Sequence, residues 1–200
     1  TLPFRAVVSD MDGTLLNANH VVGDFTISTL EKLAQRGIDI VLATGRGYTD
    51  VSSILNKMQI EKAAMITSNG AQIHDLLYSN YLPEDIAFEI MNIEFDHSRV
   101  CLNTYQHNDW FINIDVPQMR KYHKDSGFMY EVVDFKQHYG RDTEKVFFIA
   151  RDPKDLVEVE RELRDRFGNF TSITYSTPQC LEVMNKNISK AAALAHLIEE

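Results

Sequence analysis

Phe4-Arg5-Ala6-Val7-Val8-Ser9-Asp10-Met11-Asp12-Gly13-Thr14-Leu15-Leu16 is the stretch on which the reading of the fold turns. Its first half is a short, mostly apolar run with two valines that ends in Asp10, and it suits a buried parallel strand. Open parallel sheets place ligands at the carboxyl ends of their strands. Two carboxylates two residues apart at such an end can divide labour. Asp10 can attack phosphorus as a nucleophile, while Asp12 can protonate a leaving oxygen and later activate water. The two carboxylates repel each other and any phosphate, which calls for a hard cation such as Mg²⁺. Gly13 permits a tight turn that points backbone amides inward. A bare Asp-x-Asp is equally a solvated, helix-capping loop; the preceding strand and the following Gly-Thr-Leu decide against that here.

The elements that follow repeat the same rhythm. A helix is expected over residues 26–36, with Ser28 and Glu31 as a capping box, Leu30, Leu33 and Ala34 inward, and Gly37 as its stop. Residues 38–43 form a second apolar strand. Val51, Ile54, Leu55 and Met58 mark one face of a second helix, and residues 63–67 form a third strand. Strand, helix, strand, helix, strand is the pattern of an α/β, Rossmann-like, doubly wound parallel sheet. The second strand runs into Ala43-Thr44-Gly45-Arg46, where a hydroxyl and the next backbone N–H can bind phosphate. The third runs into Ser68-Asn69-Gly70, which by itself is also an ordinary turn signal. Lys190, at the start of a late helix opened by Ser189, is unfavourable for the helix dipole, and a nearby phosphate or carboxylate pair would explain it.

After about Tyr81 the rhythm changes. Pro83 is placed to open a helix with Ile86, Ile90 and Ile93 along one side. Strands are expected over 100–105 and 110–114 around the turn Gln106-His107-Asn108-Asp109, a helix over 118–125 and a strand over 145–150. A helix over 153–167 with Gly168 as its stop and a hairpin over 173–176 and 180–184 complete the block. The mixture suggests an α+β domain, residues 83–184, inserted into a core made of residues 1–82 and 185–200. His107, Asn108, Trp110 and Glu182 are the candidates in it for substrate choice, although a packed aromatic is the plainer reading of Trp110 and a solvated turn that of His107.

The formal net charge of −9 argues against a nucleic-acid partner. No apolar run reaches membrane-spanning length, so no membrane partner is expected. The first five residues lack the features of a signal peptide, and a cytoplasmic location is the expectation. Cys101 and Cys180 sit in apolar stretches and read as buried, reduced thiols. His74, His97, His123, His138 and His196 show no metal-like spacing. No Gly-x-Gly-x-x-Gly follows the first strand, which removes a dinucleotide-binding domain.

Asp10-Met11-Asp12-Gly13-Thr14, Ala43-Thr44-Gly45-Arg46, Ser68-Asn69-Gly70 and Ser189-Lys190 together resemble the haloacid dehalogenase-like hydrolases. Residues 66–71 and 180–184 are similar to their Cof-type sugar- and pyridoxal-phosphate phosphatase branch. The resemblance implies a Mg²⁺-dependent phosphatase of small phosphorylated metabolites that works through an aspartyl phosphate. Asp10 would then be nucleophile, Asp12 acid and base, with Thr44 binding and Lys190 stabilising the phosphoryl group. Met11, Gly13, Gly45, Arg46, Asn69 and Gly70 would line the phosphate and substrate site, and Asp10 with the Asp12 main-chain carbonyl would hold the metal. The inserted block would be a mobile C2-type cap that closes over the substrate. A phosphotransferase or phosphomutase shares this nucleophile, and a non-catalytic binding module shares the fold. The family's fourth motif, an acidic Gly-Asp-x-x-Asn-Asp loop, does not occur up to Glu200, so the expectation is a core incomplete at its C-terminus.

Overall fold

β1 (Ala6–Asp10) pairs in parallel with β2 (Asp39–Ala43), which pairs in parallel with β3 (Ala63–Thr67). The register sets Asp10 opposite Ala43 and Ala43 opposite Ile66, so the three strands end level with one another. This is a computed structural model, and it describes residues 3–58, 63–74, 78–123 and 126–199. β4 (Gln72–His74) turns back antiparallel on β3, and β5 (Tyr78–Ser79) completes a sheet of order β1-β2-β3-β4-β5.

Alternation along β2 explains the layering. Ile40 and Leu42 face Leu30 of α1 (Asp24–Gln35) and Val51, Leu55 and Met58 of α2 (Tyr48–Met58). Val41 and Ala43, on the opposite side, join Ile66, Ile73 and Ala193, the last from α6 (Lys190–Glu199). A strand covered on both faces must be apolar on both, which is why Ile40-Val41-Leu42-Ala43 shows no polar alternation. Each such aliphatic side chain contributes about 1.5–3 kcal/mol on burial.

Three local expectations need correction. The first strand, expected to be buried, is the edge of its sheet and runs between exposed and half-buried, with Val8 43% exposed. α1 starts at Asp24 with Gly23 in extended conformation as its cap, so Ser28 and Glu31 lie inside the helix and form no capping box. Asp24 in the first turn supplies the favourable negative charge there. The long helix expected over 153–167 begins instead as one tight turn, Pro153–Leu156, capped by Asp152 through Lys154 N–H, before α5 (Val157–Phe167).

The chain divides into two units: Thr1–Tyr78, Asp125–Gly127 and Ser189–Glu200 form one, and Ser79–Lys124 with Phe128–Ile188 the other. The second unit is a six-stranded sheet of order β10-β11-β9-β6-β7-β8. Its strands are β6 (Val100–Gln106), β7 (Asp109–Ile112), β8 (Tyr130–Val132), β9 (Thr143–Ala150), β10 (Thr171–Thr177) and β11 (Cys180–Asn185). All neighbours are antiparallel except β7 and β8. His107 and Asn108 both take positive φ, the geometry that a two-residue hairpin turn requires. One face packs on α3 (Glu84–Met91) and α5 through Ile90, Leu102, Phe148, Val159, Leu163 and Leu181. The other carries Cys101, Tyr105, Trp110, Phe147 and Tyr130, with Val116 and with Met119 of α4 (Pro117–Tyr122). The end of the helix expected over 118–125 lies partly outside the described residues.

Candidate active site

The chain leaves β1 through a sharp change of direction. Asp10 is still extended, and Gly13 reaches φ +74°, a left-handed conformation costly for any side chain. Met11 anchors the loop: its side chain is fully buried in the first core and its carbonyl accepts from Leu16 N–H. Flanked by that anchor and that hinge, Asp10 and Asp12 keep partly exposed carboxylates.

Asp10 Oδ1 accepts twice, from Met11 N–H at 2.8 Å and from Lys190 Nζ at 3.0 Å. Lys190 comes from the first turn of α6, 180 residues further along the chain. The placement of that turn is dictated at Gly70. Gly70 has φ +106°, and a Cβ there would run into the Ser189 carbonyl and lie 3.2 Å from Lys190 N. Only a residue without a side chain lets the β3 loop approach so closely. Ser189 Oγ accepts from Ala192 N–H and caps the helix.

The β2 and β3 loops interlock. Asn69 N–H donates to Thr44 O, Ser68 N–H donates to Arg46 O, and a side chain at Gly45 would meet Asn69 Oδ1 at 2.8 Å. Ser68 and Asn69 both carry positive φ to make these bonds. Thr44 is buried, and its Oγ1 accepts from Arg46 N–H at 3.0 Å. A hydroxyl used this way keeps its own proton to donate.

Arg46 sits between two carboxylates. Its Nε and Nη2 donate to Asp12 Oδ2 and Oδ1, both at 2.7 Å, and its Nη1 donates to Asp50 Oδ2 at 2.8 Å. Asp50 is buried and Arg46 mostly so, whereas half of the Asp12 side chain is exposed. The hydrogen bonds from Arg46 hold the Asp12 carboxyl below the usual carboxylate range, with desolvation opposing. The same bonds push the guanidinium up, so it stays charged. His20 Nδ1 lies 3.8 Å from Asp12 Oδ1, brought there by the turn that the Leu16–Val22 bridge closes.

The site residues singled out in the core part of the sequence therefore lie on one unit, around the carboxyl ends of the parallel strands β1, β2 and β3. Asp10 meets Lys190, Thr44 meets Asn69, and Gly70 seats α6. Arg46, expected to line the phosphate site, is bound to Asp12 and Asp50 instead. Asp50 and His20 went unrecognised; the i, i+4 spacing of Arg46 and Asp50 was the one available sign of the former. In the second unit Trp110 is buried, with Nε1 donating to Asn103 Oδ1 at 2.9 Å. His107 is exposed at the hairpin turn, and Asn108 N–H donates to Glu144. Glu182 is paired at 2.8 Å with Lys145, a residue the sequence reading passed over.

Mg²⁺ fits the donor set. Both bonds to Asp10 fall on Oδ1, which leaves Oδ2 as a hard-oxygen ligand, and Mg²⁺ is ordinarily held by one or two carboxylates with substrate phosphate and water. With the Asp12 side chain occupied by Arg46, its main-chain carbonyl is the atom left for a metal. Among the described residues no three His, Cys, Asp or Glu side chains form a metal cage.

The ends of three parallel strands thus bring together a carboxylate–lysine pair, a buried threonine and a carboxylate–arginine network on one unit. Residues 7–200 match the family model described as haloacid dehalogenase-like hydrolase. The chain belongs to that family. A Haemophilus influenzae protein provisionally described as a phosphatase is 61% identical over 99% of this chain and 74% of its own length. An HMP-PP phosphatase of Citrobacter koseri is 34% identical over 96% of this chain and 71% of its own length. A haloacid dehalogenase-like hydrolase from Bacteroides thetaiotaomicron shares the fold, with a TM-score of 0.84 at 24% identity over 98% of this chain and 76% of that one. The α/β fold class and an enzyme of the phosphatase class are what these relatives support. Among the described residues no helix is long and apolar enough to cross a membrane.

Proposed function

We propose that the protein hydrolyses small phosphate monoesters, with Mg²⁺ bound, through an aspartyl phosphate on Asp10. The observation that supports this reading is the Asp10–Lys190 contact at 3.0 Å, which brings a carboxylate and an ammonium 180 residues apart to one point. Asp10 attacks phosphorus, and the ester oxygen leaves with a proton that Asp12 delivers after parting from Arg46 and taking one up from solvent. Asp12, now a carboxylate, takes a proton from water as that water attacks the aspartyl phosphate; phosphate departs and Asp10 is restored. Lys190 and the buried Thr44 hydroxyl donate to phosphoryl oxygens, where charge gathers in the transition state. Mg²⁺ held by Asp10 Oδ2 and the Asp12 main-chain carbonyl would supply the positive charge that lets an anionic phosphate approach two aspartates.

The second unit, by the same reasoning, is the substrate-selecting cap, and the site of action is cytoplasmic. Sugar phosphates and pyridoxal phosphate are the leading substrates, and HMP-PP joins them through the Citrobacter relative. The test is Mg²⁺-dependent phosphate release from this panel by the full-length protein and by Asp10→Asn. We expect release by the first and none by the second, with unchanged circular dichroism. Equal turnover by both would remove Asp10 from the reaction.

A further inference from the structure

We propose that Arg46, backed by Asp50, is the positioning residue for Asp12 and not a ligand for phosphate. The inference rests on the reading of Asp12 as acid and base given above. A guanidinium is a planar fork that matches the two oxygens of a carboxylate. Here Nε and Nη2 take both oxygens of Asp12 at 2.7 Å, and Nη1 takes Asp50. Each nitrogen of the group thus already donates to a carboxylate. The trio of two carboxylates and one guanidinium carries a formal charge of −1, which repels a phosphate.

The two ends of the arrangement differ. Asp50 is buried, with its side chain 2% exposed, and a charge so placed needs its partner. Arg46 is also pinned by its backbone, with N–H on Thr44 Oγ1 and O on Ser68 N–H. The backbone bonds fix where the side chain starts, and the pair with buried Asp50 holds the guanidinium where it ends. Asp12 is 48% exposed and precedes the left-handed hinge at Gly13, so it is the member that can let go. The inner end is an anchor and the outer end a rest for the Asp12 carboxylate. A proton-transfer group misplaced by about 1 Å loses up to roughly a hundredfold in rate, so a fixed rest is worth a buried ion pair.

The test follows single turnovers of p-nitrophenyl phosphate, whose leaving group needs no proton, in the full-length protein supplied with Mg²⁺. Rapid acid quench measures aspartyl phosphate in wild type, Arg46→Ala, Arg46→Lys, Asp12→Ala and Asp12→Ala/Arg46→Ala. Arg46→Ala/Asp50→Asn serves as the companion that leaves no unpaired buried carboxylate. Arg46→Ala and its companion should form the phosphoenzyme with half-saturation changed less than about threefold, yet break it down roughly 10- to 100-fold more slowly, so that it accumulates. Arg46→Lys should recover part of the loss, because an ammonium cannot hold both oxygens. In the Asp12→Ala background, Arg46→Ala should add nothing. A rise in half-saturation that persists in that background would make Arg46 a phosphate ligand and overturn the proposal. Absence of phosphoenzyme even in Asp12→Ala, with Asp10→Asn still active, would instead sink the nucleophile reading beneath it.

Discussion

The two sheets of this molecule both carry paired charges, and they place them in opposite ways. In the first sheet the charges stand at the ends of its parallel strands: Asp10 closes β1, and Asp12 and Arg46 lie in the loops just beyond β1 and β2, with the aspartates half open to solvent. In the antiparallel sheet the notable pair stands on the sheet face. Lys145 Nζ is 2.8 Å from Glu182 Oε1 and 4.9 Å from the ring centroids of both Tyr105 and Phe147, and both side chains are buried. Antiparallel neighbours can be joined by tight turns, as β6 and β7 are at His107-Asn108, and such turns spend their residues on reversing the chain. Parallel neighbours need long crossovers, which leave the loops at the carboxyl ends free to carry function. The contrast predicts that charge removal costs activity in the first unit and stability in the second.

The sharpest way to break the comparison is Lys190→Ala. Loss of its charge beside Asp10 should lower kcat by roughly 100- to 1,000-fold, with unfolding midpoints little changed, as steady-state kinetics and urea melts would record. A stability loss without an activity loss would erase the distinction between the sheets. Next in size is Lys145→Met. It leaves Glu182 buried with one partner fewer, and should cost about 3–5 kcal/mol in chemical denaturation. The double change Lys145→Met/Glu182→Leu should recover most of that, since an apolar pair of similar volume often replaces a buried ion pair without loss. Smallest is a labelling experiment. Burial pushes the Cys101 thiol up to about 12, with desolvation the main cause and an Asn103 hydrogen bond opposing it. Its thiolate is scarce at pH 8, so a thiol reagent should modify native protein slowly and urea-unfolded protein at once.

Much of the first unit was legible because its signals are local. Apolar runs on both sides of the sheet, a glycine at each turn and carboxylates straight after a strand are features of a few consecutive residues. The elements missed were the shortest: β4, β5 and β8 have three residues or fewer, too few for alternation to be read. The start of α1 was misplaced because a Ser-x-x-Glu pattern inside a helix looks the same as one at its start, and the chain chose Gly23 instead. In the second unit Glu182 stood out as a charge in an apolar strand, but its partner could not be named. Lys145 reaches it across the β9–β11 pairing, 37 residues away in sequence.

By itself, then, the sequence determined the parallel strands, the loops at their ends and the family, because backbone preference and hydrophobic period act over a handful of residues. Only the tertiary structure decided which charges meet. The fold turns the fork of Arg46 onto Asp12, 34 residues upstream, and onto Asp50, and no spacing in the sequence announces the pairing with Asp12. Lys190 stood out in the sequence as a lysine in want of an anion, but that Asp10 is the carboxylate it meets became visible only where Gly70 lets α6 approach the β3 loop. Such pairings depend on strand register and on a few ångströms of backbone approach, and these exist only once the sheet and its helices are packed.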